Sequence, residues 1–190
     1  MCFMMTFPTD SRAKICKDLN SFAQKHPEQR DIADAMLQFI CSTPDCFERS
    51  HAAGHITGSA WLVSPDGEKV LLTLHHKLQR WMQPGGHADG DSNPLRVALR
   101  EAEEESGIIG ISAISEEIFD IDIHLIPARP SSGETEHYHY DIRYLLKAPH
   151  SKYAISSESD DLAWWSFHDF GARKNELDGS VLRMAHRYFK

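Results

Sequence analysis

The sequence has few cysteines, no excess of positive charge and no long hydrophobic run, and each shortage excludes a class of protein. The four cysteines include no C-x-x-C pair, so neither a zinc ribbon nor a disulfide framework is indicated. Lys and Arg number 20 against 28 Asp and Glu, a net charge of −8, which argues against a partner that is a nucleic acid polymer. The apolar runs are shorter than the roughly 18 residues of a membrane span, and the first residues do not resemble a signal peptide. We therefore expect a cytoplasmic protein with no membrane partner.

What remains is the composition of an ordinary globular protein. Hydrophobic residues make up 41% and charged residues 25% of the 190 residues, which suits one domain with an extension. The 12 histidines are the one unusual count.

The first 50 residues are predicted to form a helical hairpin. A first helix, capped by Asp10 or Ser11, ends at His26 because the residue before proline avoids the helical region. A second helix over about 28–41 carries one apolar stripe. Two short helices bury too little surface to fold alone, so residues 1–50 are assigned to an extension of a domain over 51–190. Their apolar faces could also serve a homodimer.

Strand patterns dominate the middle of the chain. We predict strands over 59–63, 69–75, 119–126 and 138–146, with a short one over 162–167. A last helix follows a cap at Asp178 or Ser180. Strands bracketed by helices favour an α+β fold with a mixed sheet.

The segment 85–108 carries a helix with clear start and stop signals. Asn93 can cap the helix, Pro94 suits its first position, and Gly107 can end it in a left-handed conformation. The helix is therefore about 13 residues long.

Three carboxylates fall on one side of this predicted helix. Glu101, Glu104 and Glu105 are spaced i, i+3, i+4, within an arc of about 100°. They repel one another and lie near the negative end of the helix dipole. A hard divalent cation, Mg²⁺ or Mn²⁺, would compensate both penalties. The alternative is a solvated acidic face.

The same residues resemble the Nudix box, G-x5-E-x7-R-E-U-x-E-E-x-G-U with U aliphatic. Residues 100–108, REAEEESGI, match its second half if alanine is accepted at the first U, and Gly86 stands at the opening glycine. The resemblance to a Nudix domain extends over about 56–170. Ser92 stands where the pattern has Glu, and Asp91, one residue earlier, could substitute for it in a shorter loop.

The resemblance implies an α/β/α sandwich with a mixed sheet, and an Mg²⁺- or Mn²⁺-dependent hydrolase of nucleoside diphosphate derivatives. By position, Glu101, Glu104, Glu105 and the Gly86 carbonyl would hold metal. Arg100 would orient Glu101 through a charge-assisted hydrogen bond. A metal-activated water would attack a phosphorus of the pyrophosphate link.

The general base is left open at this point. Glu104 or Glu105 could serve from inside the box; the candidates outside it are Glu134, Glu136, Glu158, Asp160 and Asp161. The unassigned base and Ser92 also leave room for a nucleotide-binding module that does not cleave its ligand. A non-hydrolytic relative of the isopentenyl diphosphate isomerase type is a third option that no specific feature favours.

Two rows of polar residues alternate along neighbouring predicted strands. The rows are Asp120, Asp122 and His124, and His137, His139 and Asp141. Alternation places each row on one face of its strand, and the rows would meet if the strands pair. They would then form an accessory metal site or a phosphate-contacting wall, including His139, or simply a polar and partly exposed face of the sheet.

Other candidate substrate contacts are weaker. His87 directly follows Gly86, and it either touches substrate or only shapes the turn. Trp81 and Tyr138 could stack on a base, although such rings more often belong to the core. Arg129 could grip a phosphate or simply be solvated.

Overall fold

The computed structural model of the chain describes residues 11–76, 79–129, 133, 135–155 and 159–190. The helices are α1 (Ser11–Lys25), α2 (Arg30–Ser42), α3 (Pro94–Ser106), α4 (Phe167–Ala172) and α5 (Gly179–Tyr188), with short 3-10 turns at Pro27–Gln29 and Lys174–Glu176. The strands are β1 (Gly54–Val63), β2 (Lys69–His75), β3 (Arg80–Met82), β4 (Gly85–His87), β5 (Ser112–Ile126), β6 (His137–Lys147) and β7 (Ser159–Ser166). Within these described ranges, every helix is too short or too polar to cross a membrane.

The strands form one mixed sheet around β1. The order is β3-β2-β1-β6-β5, with β4 also paired to β1 and β7 to β2. β1 and β6 run parallel, and the other pairs are antiparallel. All ten residues of β1 are buried, because helices cover both faces of the sheet. The predicted α+β class, mixed sheet and α/β/α layering are confirmed.

One face of the sheet is covered by α1, α2 and α3. Leu19 and Met36 of the N-terminal helices share a core with Ile121 of β5 and with α3, and the Phe39 ring stacks on Tyr140 with centroids 3.9 Å apart. The predicted helical hairpin is present, and its apolar stripe is buried against the chain's own sheet. That stripe is therefore not an argument for a homodimer, which stays a prediction, as does a domain boundary near residue 50.

The other face is covered by α4 and α5, over a core that includes Trp61, Trp165 and Val181. It also holds a buried ionic group. Among the described residues this group joins three carboxylates to three guanidiniums: Asp120, Asp122, Asp141, Arg143, Arg183 and Arg187.

Asp120 is the centre of this ionic group. It is fully buried and accepts hydrogen bonds from Arg143 at 3.1 Å, from Arg183 at 2.8 Å and from Arg187 at 2.9 Å. Asp141 is bound by Arg143 at 2.7 Å. Burial raises the pKa of Asp122, but the hydrogen bond with His124 and the arginine charges outweigh it and lower that pKa to about 2. Asp122 therefore remains ionised, and the ionic group joins α5 to β5 and β6.

A close approach between α3 and β1 fixes the position of α3, the helix that carries Glu101, Glu104 and Glu105. A Cβ added at Gly58 would lie 2.5 Å from the Pro94 carbonyl oxygen and 2.9 Å from the Val97 Cβ. Only a residue without a side chain lets the helix backbone lie this near the strand.

Several short or late elements were not predicted. They are β3, β4, α4, the first part of β1 and the first part of β5. Strands of three residues are too short to show alternation.

We expect Asp120→Asn to destabilise the fold by about 3–5 kcal/mol, because removing one partner leaves buried guanidiniums without their compensating charge. Urea unfolding followed by circular dichroism measures this. Lys14→Ala is the control, since the Lys14–Asp18 pair is exposed and is worth about 1 kcal/mol or less. Equal losses for the two variants would contradict the prediction.

We expect Gly58→Ala to cost about 1–3 kcal/mol of unfolding free energy, because the added methyl group has to displace the start of α3. Gly171→Ala is the matched control: a Cβ there meets nothing within 4 Å, and alanine in a helix is neutral or stabilising. The same urea titration compares them, and a neutral Gly58→Ala would show that α3 does not depend on this contact.

Candidate active site

Helix α3 begins and ends where the sequence predicts. The Asn93 side chain accepts a hydrogen bond from the backbone N–H of Arg96 at 3.3 Å, and Pro94 stands at the start. Gly107 ends the helix with φ 67°, donating its N–H to the Glu103 carbonyl at 2.8 Å. These caps fix where α3 begins and ends, and therefore which side of the helix its glutamates occupy.

Strand β4 runs alongside the glutamates of α3. A Cβ at Gly86 would lie 2.4 Å from the Cδ of Glu101, so the carboxylate rests directly on the strand backbone. Glu105 accepts a hydrogen bond from the Gly85 N–H at 2.8 Å. The structure thus brings Gly86, Glu101 and Glu105 together.

Arg100 braces this arrangement from the side. Its Nη1 lies 2.9 Å from Oε1 of Glu101 and 3.5 Å from Oε2 of Glu104, and its Nη2 donates to the His87 carbonyl at 2.8 Å. The side chain of Glu101 is 13% exposed, whereas that of Glu104 is 61% exposed. Glu104 is therefore the carboxylate with most contact with solvent.

Glu103 belongs to a different side of the helix. It accepts hydrogen bonds from the backbone N–H groups of Gly110 at 2.8 Å and Ile111 at 3.2 Å, so it stabilises the turn after α3.

The loop before α3 is also held by a carboxylate. Asp91 accepts from the Asn93 N–H at 2.9 Å and pairs with Arg96, so Asp91 braces the loop in which Ser92 replaces the glutamate of the pattern.

On the opposite side of β4, five imidazoles meet. This histidine cluster consists of His55, His87, His124, His137 and His139. The rings of His87 and His139 have centroids 5.1 Å apart, and those of His55 and His139 are 4.9 Å apart. Gly86 therefore faces the glutamates of α3, and His87 faces the cluster.

The two polar rows do meet, as β5 pairs with β6 in a register that sets His124 opposite His139 and Asp122 opposite Asp141. They divide into two parts. The carboxylates enter the ionic group, in which Asp120 and Asp141 are buried and Asp122 is half-buried. The histidines form the cluster, joined by His55, which was not predicted because β1 was expected to begin at residue 59.

Burial keeps two of these imidazoles neutral. Burial, followed by the neighbouring imidazoles, lowers the pKa of His55 to about 4 and that of His139 to about 2. Both rings are therefore neutral at pH 7 and each offers a lone pair.

The remaining candidate substrate contacts lie in different surroundings. Trp81 is 5% exposed and packs against Trp165 with centroids 5.3 Å apart, which favours its assignment to the core. Tyr138 is 45% exposed. Arg129 is half-buried just after β5.

The candidate bases outside the box have their own environments. Asp160 pairs with His76 and accepts from Gln79. Asp161 accepts from the Leu162 N–H at 2.8 Å, and Glu136 is exposed. Glu134 and Glu158 lie outside the described residues.

Two curated proteins are similar to part of this chain. A probable DHNTP pyrophosphohydrolase from Lactococcus lactis subsp. cremoris is 32% identical over 42% of this chain and 48% of its own length. An asymmetrical bis(5'-nucleosyl)-tetraphosphatase from Rattus norvegicus is 30% identical over 45% of this chain and 61% of its own length. The chain thus spans about half to three fifths of these curated relatives.

Solved structures share the fold. A Nudix-family hydrolase from Clostridium perfringens is 26% identical, with a TM-score of 0.53 over 70% of this chain and 95% of that one. An Ap4A hydrolase from C. elegans is 17% identical, with a TM-score of 0.51 over 70% and 93% of the two chains. The family model described as NUDIX domain matches residues 55–184. The chain therefore belongs to the Nudix family.

Proposed function

We propose that the chain is a divalent-metal-dependent hydrolase that cleaves a pyrophosphate link in a nucleoside diphosphate derivative or related small molecule in the cytoplasm. The observation that carries this proposal is the set of oxygen donors where α3 meets β4. The pyrophosphohydrolase and the tetraphosphatase among the relatives support the same class of bond.

The residues present fit Mg²⁺ or Mn²⁺. The Glu101, Glu104 and Glu105 carboxylates and the Gly86 carbonyl are all hard oxygen donors, the type these ions prefer. Gly86 leaves no side chain between the strand and Glu101. When bound, such an ion supplies a Lewis acid that makes water a stronger nucleophile and offsets charge on the phosphate oxygens.

Arg100 acts as a positioning residue. It holds Glu101 and the His87 carbonyl at once, so the helix and the end of β4 keep a fixed separation. A charge-assisted hydrogen bond of this kind holds the carboxylate in one orientation. The result is a preorganised set of donors rather than a mobile acidic surface.

Glu104 is our proposal for the group that takes the proton from the attacking water. The Glu105 carboxylate accepts the Gly85 N–H, so one of its oxygens is already held by the strand backbone. Glu104 is more exposed, and its contact with Arg100 is longer, at 3.5 Å, so it can reach a water molecule.

On the substrate side, Arg129 lies just after β5, where it could bind a phosphate, and Tyr138 is exposed at the start of β6. Trp81 is enclosed in the core. The side chains of His87 and His139 both lie in the histidine cluster, so neither ring is proposed as a contact at the carboxylate site.

We expect Glu101→Gln and Glu104→Gln each to lower kcat/KM by about 100- to 1,000-fold, because each removes a charge that the transition state requires. Phosphate and nucleotide release from a panel that includes dinucleoside tetraphosphates and ADP-ribose, with Mg²⁺ or Mn²⁺, measures this. Removing metal with EDTA should abolish turnover.

Glu103→Gln is the matched control, since it has the same chemistry on the same helix but its oxygen caps the Gly110 turn. It should retain activity within a few-fold. Tight nucleotide binding without product in the wild type would instead support the non-cleaving module. Equal effects of all three substitutions would contradict the assigned site.

A further inference from the structure

Three members of the histidine cluster have ring nitrogens that converge on one point. One nitrogen from each of His55, His137 and His139 lies within 4.8 Å of the other two. Nε2 of His137 and Nε2 of His139 are 3.3 Å apart. In a tetrahedral zinc site with Zn–N bonds of about 2.0–2.1 Å, neighbouring ligand nitrogens stand roughly 3.3–3.4 Å apart. The spacing of this pair therefore already matches two corners of such a site.

His55 supplies an independent observation. Its side chain is 2% exposed, and neither ring nitrogen has a hydrogen-bond partner among the described residues. A buried polar atom without a partner is costly and calls for an explanation, of which a metal ion is one.

The hydrogen bond of His137 favours the same conclusion. Its Nδ1 lies 2.8 Å from the Thr135 carbonyl oxygen, which acts only as an acceptor, so the ring carries its proton on Nδ1. That tautomer leaves the Nε2 lone pair directed at the cluster, the arrangement seen in metal-binding histidines.

We propose that His55, His137 and His139 form a site for one divalent transition-metal ion of the zinc class, separate from the carboxylate site on α3. Imidazole nitrogen suits Zn²⁺, Co²⁺ and Ni²⁺, whereas oxygen donors suit Mg²⁺ and Mn²⁺. Strand β4 stands between the two sites, since Gly86 faces Glu101 and His87 faces the cluster.

The geometry also indicates what the ion does for the fold. His55 lies at the start of β1, and His137 and His139 lie at the start of β6, which pairs with β1 in parallel. Three protein ligands would join these two strand ends and leave a fourth coordination position for water or another ligand.

Cobalt provides the test. Full-length chain without an affinity tag is stripped with chelator, then titrated with Co²⁺ and followed by visible absorption. We expect one Co²⁺ per chain with the intense bands of a four-coordinate ion, displaced by Zn²⁺ but not by excess Mg²⁺. Because the carboxylate site is separate, Glu104→Gln should keep these bands and the rise in Tm that Zn²⁺ produces.

His137→Gln and His139→Gln should each weaken Co²⁺ binding by about 100-fold or more, since even changes to outer-shell partners cost 10- to 100-fold. His168→Gln, an exposed histidine on α4, is the matched control and should bind like the wild type. If His139→Gln fails to fold, the His137→Gln variant tests the proposal by itself. His137 is only half-buried at the start of β6, so its substitution disturbs the fold less.

Absence of the bands in the wild type would overturn the proposal, as would bands that survive His137→Gln and disappear in Glu104→Gln. Neither outcome bears on hydrolysis, which depends on Glu104 and is measured with Mg²⁺. The two proposals can therefore fail separately.

Discussion

The candidate active site depends on backbone contact between α3 and the strands beneath it. Gly58 lets the first turn of the helix touch β1, and Gly86 lets Glu101 lie on β4. With side chains at these positions, the carboxylates would stand farther from the Gly86 carbonyl and the Gly85 N–H. The oxygen-rich site is thus a consequence of two missing side chains as much as of three acidic ones.

The opposite face of the sheet shows how burial sorts ionisable groups. Where carboxylates and guanidiniums alternate, as around Asp120 and Arg143, opposite charges and hydrogen bonds compensate the burial of the charged groups. A few residues along the same strands, burial and the neighbouring imidazoles lower the pKa values of His55 and His139, so these two rings are neutral. The same face of the sheet therefore carries the buried ionic group around Asp120 and, next to it, neutral imidazoles whose nitrogens can act as ligands.

Local signals allowed much of the site to be predicted. The cap at Asn93, the stop at Gly107 and the spacing of Glu101, Glu104 and Glu105 depend only on neighbours in sequence, and each has a distinct physical cause. The functional roles rest on the resemblance of residues 100–108 to the Nudix box. By contrast, β3 and β4 are three residues long and show no period. The place of His55 depends on the parallel register of β1 and β6, which links positions 84 residues apart and leaves no local trace.

The arginines of α5 have a consequence for biosynthesis. Arg183 and Arg187 complete the surroundings of Asp120, and Arg187 also donates to Gln29 at 2.6 Å. Proteins are made from the N-terminus, so the central sheet emerges from the ribosome before these two cations. Until α5 emerges, Asp120 and Asp122 outnumber the guanidiniums available to them, and the nascent sheet retains an unbalanced negative charge. Helix α5 therefore supplies the last charges that Asp120 and Asp122 require, and through Gln29 it also contacts the N-terminal region.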